Sequence, residues 1–345
     1  MEELRVLIAD NSPVYRNMFT RAVTETSESP SVTTVADCDE ALELIKRNDY
    51  DMIIVDAELP GIGLLELLNG IMLEISKVFI LVTGRPSRAN EKLFSDTLSN
   101  GTVTCMTKPI YDSYEENLDV IKSKIEDIII SLQKNTGNIK KSPEAEPEPA
   151  GISRRMKDFV PELVLIAAST GGPKALKAIL SELRGDFQVP ILVVQHIPAY
   201  FTEILARDLN LKSGLRVKVA EDGEVMTAGT VYFAPGAVHM KVNINYIRLE
   251  GSPPVNGVRP SADTLFKSVA ECFAGNKVLA VILTGMGRDG QEGVASLKKD
   301  KDCYCLIQSE KTCVVYGMPR AVADTGLADE IVDLDIIAHE IERFF

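Results

Sequence analysis

Short apolar runs recur along this chain, each closed by small or polar residues and most followed by a stretch with helical spacing. In the first third they predict strands at Leu4–Ala9, Val32–Ala36, Met52–Val55, Val78–Val82 and Val103–Met106, with a closing helix over Tyr114 to Leu132. From residue 159 onward they predict strands at 163–168, 190–195, 215–220, 230–234, 278–284 and 303–308. Helices are predicted at 173–183, 199–211, 262–273, 290–299, 317–324 and 336–344, with a hairpin over Val238 to Leu249 turning near Asn243-Ile244-Asn245. Continuously apolar strands alternating with helices form parallel sheets covered on both faces. The expected fold is therefore α/β twice over: a (βα)5 parallel sheet in 1–131, and a second, doubly wound, mostly parallel sheet with a hairpin in 159–345.

Between them, residues 132–158 change character. The run Ser142-Pro-Glu-Ala-Glu-Pro-Glu-Pro-Ala-Gly, flanked by Lys and Asn, has too few apolar side chains to bury a core and reads as a flexible linker with a reach of roughly 30 Å. Of the formal net charge of −13, residues 1–131 carry −11, the linker +2 and residues 159–345 −4. Neither folded segment has a dominant basic face, so a nucleic-acid reader is not expected. No apolar run is long enough to span a bilayer, and the opening Met-Glu-Glu-Leu-Arg leads into a strand rather than a signal peptide, so a cytoplasmic protein without membrane insertion is expected. Six scattered Cys fit reduced thiols; Cys303 and Cys305, two apart on one strand, could also be a metal pair, though no CxxC or His-rich partner accompanies them.

In parallel sheets, function collects at the carboxyl ends of the strands. In the first domain those ends carry Asp10-Asn11, Asp56, Thr83 and Lys108-Pro109: carboxylates suited to a hard cation, with a hydroxyl and an ammonium suited to a phosphoryl group on Asp56. Each alone reads as a solvated loop residue; four at matching strand ends read as a site. In the second domain the run Leu163 to Ala168 stops at Ser169-Thr170-Gly171-Gly172-Pro173, a tight strand-to-helix turn. The free N–H groups of the following helix would favour negative charge beside the Ser169 hydroxyl. That suits a nucleophile, and equally a capping serine or a phosphate cradle. Of three histidines, His196 directly follows the strand ending at Gln195, on the same edge as Ser169. His239 lies in an alternating strand and His339 off the apolar stripe of its helix. Asp289, in the Gly-rich turn after the strand at 278–284, either orients an imidazole or caps the next helix. Taken together, the three strand-end signals favour a Ser169–His196–Asp289 triad. Its order of Ser, His, Asp differs from the α/β-hydrolase order.

Residues 1–131 resemble the response-regulator receiver family. The resemblance implies Asp56 as phosphoacceptor, Asp10 with Asp56 as ligands to Mg²⁺, Thr83 as switch hydroxyl and Lys108 as phosphate contact. Asn11 stands where that family usually has a second acid, which implies weaker Mg²⁺ binding but retained phosphorylation. Ser-Thr-Gly-Gly-Pro at 169–173, Gln195-His196, Val-Asn-Gly-Val-Arg-Pro-Ser-Ala-Asp at 255–263 and Gly-Met-Gly-Arg-Asp-Gly at 285–290 resemble the chemotaxis protein-glutamate methylesterase family over nearly all of 159–345. That resemblance implies removal of methyl groups from glutamyl methyl esters of methyl-accepting chemoreceptors, with glutamine deamidation as a second activity. A chemotaxis histidine kinase would be the phosphodonor, and the esterase would need no cofactor. It also implies oxyanion N–H groups at Thr170 and Met286. Arg259 and Ser261 would line the substrate groove, or serve simply as a loop arginine and a helix cap. The unphosphorylated receiver is expected to block the site and phosphorylation of Asp56 to release it. The alternative is a receiver-controlled serine hydrolase acting on another ester or amide.

Overall fold

The computed structural model describes residues 3–74, 78–84, 103–110, 112–136, 159–197 and 199–345. They fall into two units, Met1–Gly137 and Asn138–Phe345. In the first, strands β1 (Arg5–Ala9), β2 (Ser31–Val35), β3 (Met52–Asp56), β4 (Phe79–Gly84) and β5 (Val103–Thr107) form one parallel sheet in the order β2-β1-β3-β4-β5. Its helices include α1 (Pro13–Thr26), α2 (Cys38–Arg47), α3 (Leu64–Glu74) and α4 (Tyr114–Thr136). Strands β1, β3 and β4 are buried almost throughout, as their unbroken apolar runs require. Helix α4 is longer than expected. Ile121, Ile125, Ile128 and Ile129 set a buried stripe with half-buried Leu132 beyond it, and the helix runs on to Thr136 through residues read from composition as linker. The rest of that segment, 137–158, lies outside the described residues.

The second unit holds a seven-stranded sheet, every pair parallel, in the order β14-β13-β12-β6-β7-β9-β8. Its strands are β6 (Leu163–Ala168), β7 (Ile191–Gln195), β8 (Arg216–Val219), β9 (Thr230–Phe233), β12 (Lys277–Ile282), β13 (Asp302–Gln308) and β14 (Glu330–Val332). The expected hairpin is present as β10 (His239–Asn243) and β11 (Tyr246–Glu250), but it forms a separate two-stranded sheet. The helices are α5 (Gly172–Glu182), α6 (Ala199–Lys212), α7 (Ala262–Cys272), α8 (Gln291–Asp300), α9 (Met318–Ala323) and α10 (Leu334–Glu342). Phe266 and Leu265 of α7, Val294 and Leu297 of α8, Met240 of β10 and the central strands share one core. From β6 the chain builds outward on one side through β7, and later returns to place β12 on β6's other flank. The strand order therefore reverses between β6 and β12, which opens a crevice at their carboxyl ends.

Candidate active site and acid–lysine pocket

Three adjacent central strands, β12, β6 and β7, end at this crevice. Ser169 follows β6 directly. Its N–H donates to Thr284 O (3.1 Å), and its carbonyl accepts from Gly172 N (2.9 Å) and Gln195 Nε2 (2.9 Å). The turn needs its glycines. Gly171 has φ +79°, and a Cβ there would lie 2.7 Å from the Val314 side chain. At Gly285, a Cβ would lie 2.9 Å from that of Ser169. Pro173 then suits the first turn of α5. Among the described residues, neither Thr170 N–H nor Met286 N–H donates to a backbone or side-chain acceptor. The Thr170 hydroxyl and Gln195 Oε1 are buried beside the turn with no hydrogen-bond partner among the described residues.

His196 follows β7, and its N–H donates to Ala168 O (3.1 Å), the residue before Ser169. Its Nε2 lies 2.8 Å from Asp289 Oδ2. Asp289, 2% exposed, has four donors around it. Oδ2 also accepts from Ala262 N (2.6 Å), while Oδ1 accepts from Ser261 Oγ (2.7 Å) and Asp263 N (3.0 Å). Burial raises the Asp289 carboxyl, but the His196 ring and the donors from Asp263 and Ser261 outweigh it and hold the group down at about 2. An ionised carboxylate only accepts, so Nε2 carries the hydrogen and a neutral ring leaves Nδ1 as its acceptor nitrogen. The sequence could not say which nitrogen faces which partner.

Of the two readings of Ser261, groove residue or helix cap, the cap is the one its surroundings match. It is fully buried, capping α7 through its Oγ and also donating to Asp289, because the turn before α7 packs beneath the carboxylate. Arg259 is half-buried and spent on the loop before it, its Nη1 donating to Gly251 O (3.2 Å) and Ser252 O (2.9 Å). His239 is buried, with Nδ1 accepting from Ser261 N (3.2 Å) and Nε2 donating to Pro253 O (3.0 Å), so it supports the same turn; His339 is exposed. Burial pushes the Cys303 thiol up to about 12 and holds that of Cys305 well above its ordinary range. Among the described residues no group of three or more His, Cys, Asp and Glu is gathered for a metal.

In the first unit, Asp10, Asp56, Thr83 and Lys108 converge as strand ends should. Asp56 and Thr83 are paired in register. Lys108 Nζ forms ion pairs with Asp10 Oδ2 (2.7 Å) and Asp56 Oδ2 (2.8 Å), and sits 4.8 Å from the centre of the Tyr15 ring. Tyr15, unmarked by any motif, anchors the loop by donating to Pro109 O (2.7 Å). Thr83 Oγ1 donates weakly to Val55 O (3.4 Å). Burial pushes the Asp10 carboxyl above its ordinary range. Asn11 is exposed and outside this cluster of contacts. Two buried carboxylates beside one ammonium fit Mg²⁺, which needs only one or two protein carboxylates when phosphate oxygens and water complete its shell.

Fold and sites together define a class: a receiver-type sheet joined in one chain to an α/β sheet bearing a hydrolase-type serine, imidazole and carboxylate. Comparison with known proteins agrees. Residues 164–341 match the family described as CheB methylesterase, and residues 6–119 match the response regulator receiver domain. A protein-glutamate methylesterase/protein-glutamine glutaminase of Halalkalibacterium halodurans is 36% identical over 99% of this chain and 98% of its own length. A protein of the same description from Clostridium acetobutylicum is 34% identical over 99% of this chain and 97% of its own. The crystal structure of the Thermotoga maritima CheB methylesterase catalytic domain covers 54% of this chain and 99% of that one, at 39% identity and a TM-score of 0.52. The chain belongs to the CheB methylesterase family, in its form with a receiver domain. Among the described residues, no helix is long and apolar enough to cross a membrane.

Proposed function

We propose that this chain hydrolyses glutamyl methyl esters on methyl-accepting chemoreceptors, releasing methanol, and deamidates receptor glutamines at the same site. One observation supports the reading: Ser169, His196 and Asp289 follow three neighbouring strands at one sheet edge, and His196 Nε2 is committed to Asp289, which leaves Nδ1 to take a proton. Ser169 Oγ attacks the ester carbonyl and its proton passes to His196 Nδ1. Asp289 holds the ring and stabilises the imidazolium. The oxyanion is met by the Thr170 and Met286 N–H groups. The C–O bond to methanol breaks as the imidazolium returns its proton to the leaving oxygen. Water, deprotonated by His196, then attacks the acyl-enzyme, freeing Ser169 and a glutamate carboxylic acid, which ionises. For a glutamine, ammonia leaves in place of methanol.

Asp56 accepts a phosphoryl group from a chemotaxis histidine kinase, with Lys108 and Thr83 contacting it. Asp10 and Asp56 would hold Mg²⁺, whose charge offsets that of the phosphoryl oxygens. Phosphorylation relieves a block that the receiver imposes on the esterase, and the protein works in the cytoplasm, where receptor tails and kinase meet it. The test is methanol release from methylated receptor by the wild type, Ser169→Ala and Asp56→Asn, with and without phosphodonor. Loss in Ser169→Ala, together with stimulation only where Asp56 is present, supports both halves. Equal release by wild type and Ser169→Ala removes the triad.

A further inference from the structure

The motif at 255–263 ends in Asp263, a fully buried acid to which neither the triad nor the substrate gives a part. Its surroundings are specific. Oδ1 accepts from Gly290 N (2.9 Å) and Gly293 N (2.7 Å), the N-terminal donors of α8. Asp289, the residue just before Gly290, accepts from Ala262 N and Asp263 N, the N-terminal donors of α7. Each acid thus caps the helix that the other precedes or begins. The helices are in close contact, since a Cβ at Gly293 would lie 2.6 Å from that of Phe266 and 3.1 Å from Asp263 Cα. Asp263 Oδ2 is held in turn by Asn256 Nδ2 (2.9 Å). Asn256 (φ +52°) and Gly257 (φ +75°) form a two-residue turn between the paired Val255 and Val258, a geometry that favours Asn-Gly. The conformation that seats Asn256 is therefore built into the turn.

Resting on the hydrolase reading above, we propose that Asp263 is a positioning residue for it. By capping α8 while Asp289 caps α7, Asp263 fixes the Asp289 carboxylate against His196 Nε2, and Asn256 fixes Asp263. Without the Asp263 acceptor, Gly290 and Gly293 lose a shared partner and the loop carrying Asp289 is tied from one side only. A displacement of about 1 Å at a catalytic group costs on the order of 10²-fold in rate. Asparagine should serve in its place: its side-chain oxygen still accepts from both glycines, and the Asn256 amide can turn to accept from its nitrogen.

The chain has three histidines, so the full-length protein labelled with ¹⁵N-histidine gives few ring signals, and those of His196 are assigned by their loss in His196→Gln. Wild type should show His196 protonated on Nε2 with an unprotonated Nδ1. In Asp263→Ala that tautomer should become mixed, with kcat for methanol release lower by about 10²-fold and KM little changed. Asp263→Asn should restore both. A folded Asp263→Ala with the wild-type His196 signature and kcat overturns the proposal and leaves Asp263 as a helix cap only. If Asp263→Ala does not fold, Asn256→Ala decides: a mixed tautomer supports the proposal, and an unchanged one overturns it. The nitrogen signals need no substrate, so Ser169→Ala still releasing methanol would sink the hydrolase reading separately.

Discussion

Replacing Asp289 by asparagine sets the site's hydrogen-bond logic against itself. All four partners of the carboxylate are donors: His196 Nε2 and Ala262 N on one oxygen, Ser261 Oγ and Asp263 N on the other. An amide brings its own donors. Whichever way it turns, its NH₂ meets a backbone N–H, that of Ala262 or of Asp263, which cannot rotate away. A buried unsatisfied donor costs about 1–3 kcal/mol, and the charge-assisted character of the remaining bonds is lost as well. The pH linkage gives a comparable figure. A carboxyl held at about 2 instead of 3.8 contributes about 2–3 kcal/mol of stability. Because its folded value is depressed, that contribution is present above pH 4 and lost as pH falls towards 2. Urea unfolding at pH 7 should therefore find Asp289→Asn less stable by about 3 kcal/mol, a gap that closes in acid. With the amide facing His196, the ring is pushed to the tautomer protonated on Nδ1, and methanol release should fall by about 10⁴-fold. A variant as stable as wild type, or one releasing methanol within tenfold of it, would refute this account of the site.

Other consequences are open to measurement. Ser261→Ala removes one donor to Asp289 and the cap of α7; it should lower stability by about 2 kcal/mol while leaving KM unchanged, whereas a raised KM with an unshifted melting curve would return Ser261 to the substrate groove. Ile244, β-branched and exposed, has φ +58° at the turn of β10 and β11, so Ile244→Gly should stabilise the chain by about 0.5–1 kcal/mol in urea unfolding despite the freer unfolded chain; a loss would deny the strain. Asn11→Asp should lower the Mg²⁺ concentration needed for half-maximal labelling of Asp56, and an unchanged midpoint in a phosphotransfer titration would show that position 11 lies too far from the cation to matter.

Much of the architecture could be read from the chain because strand ends in a parallel sheet announce themselves: a buried run stops, and the next residue stands at the functional edge. Ser169 and His196 are each the first residue past such a run, and Asp289 lies on the loop that follows one. Other features left no comparable trace. Strand β14 is three residues long, too short for any periodicity. Ser261 has the sequence of an ordinary helix cap, and nothing local tells that its hydroxyl also reaches a carboxylate 28 positions away. Asp263 looks like a routine acid in a first helical turn; its partners Gly290 and Gly293 are brought to it by the packing of α7 on α8. Helix α4 runs four residues past Leu132, through Gln133-Lys134-Asn135-Thr136, which has no apolar residue to mark a helix in the sequence.

The reversal of strand order between β6 and β12 also bears on how the protein is made. On the ribosome, β6 through β9 emerge long before β12, and Asp289 follows His196 by 93 residues. Until β12 arrives, β6, central in the finished sheet, is a bare edge, and the imidazole has no carboxylate to orient it. The nascent chain is thus inert as a hydrolase and at its most prone to aggregation over the same interval. Docking of β12 covers that edge and the loop after it brings Asp289 to His196, so a chain terminated before β12 lacks the carboxylate as well as the strand.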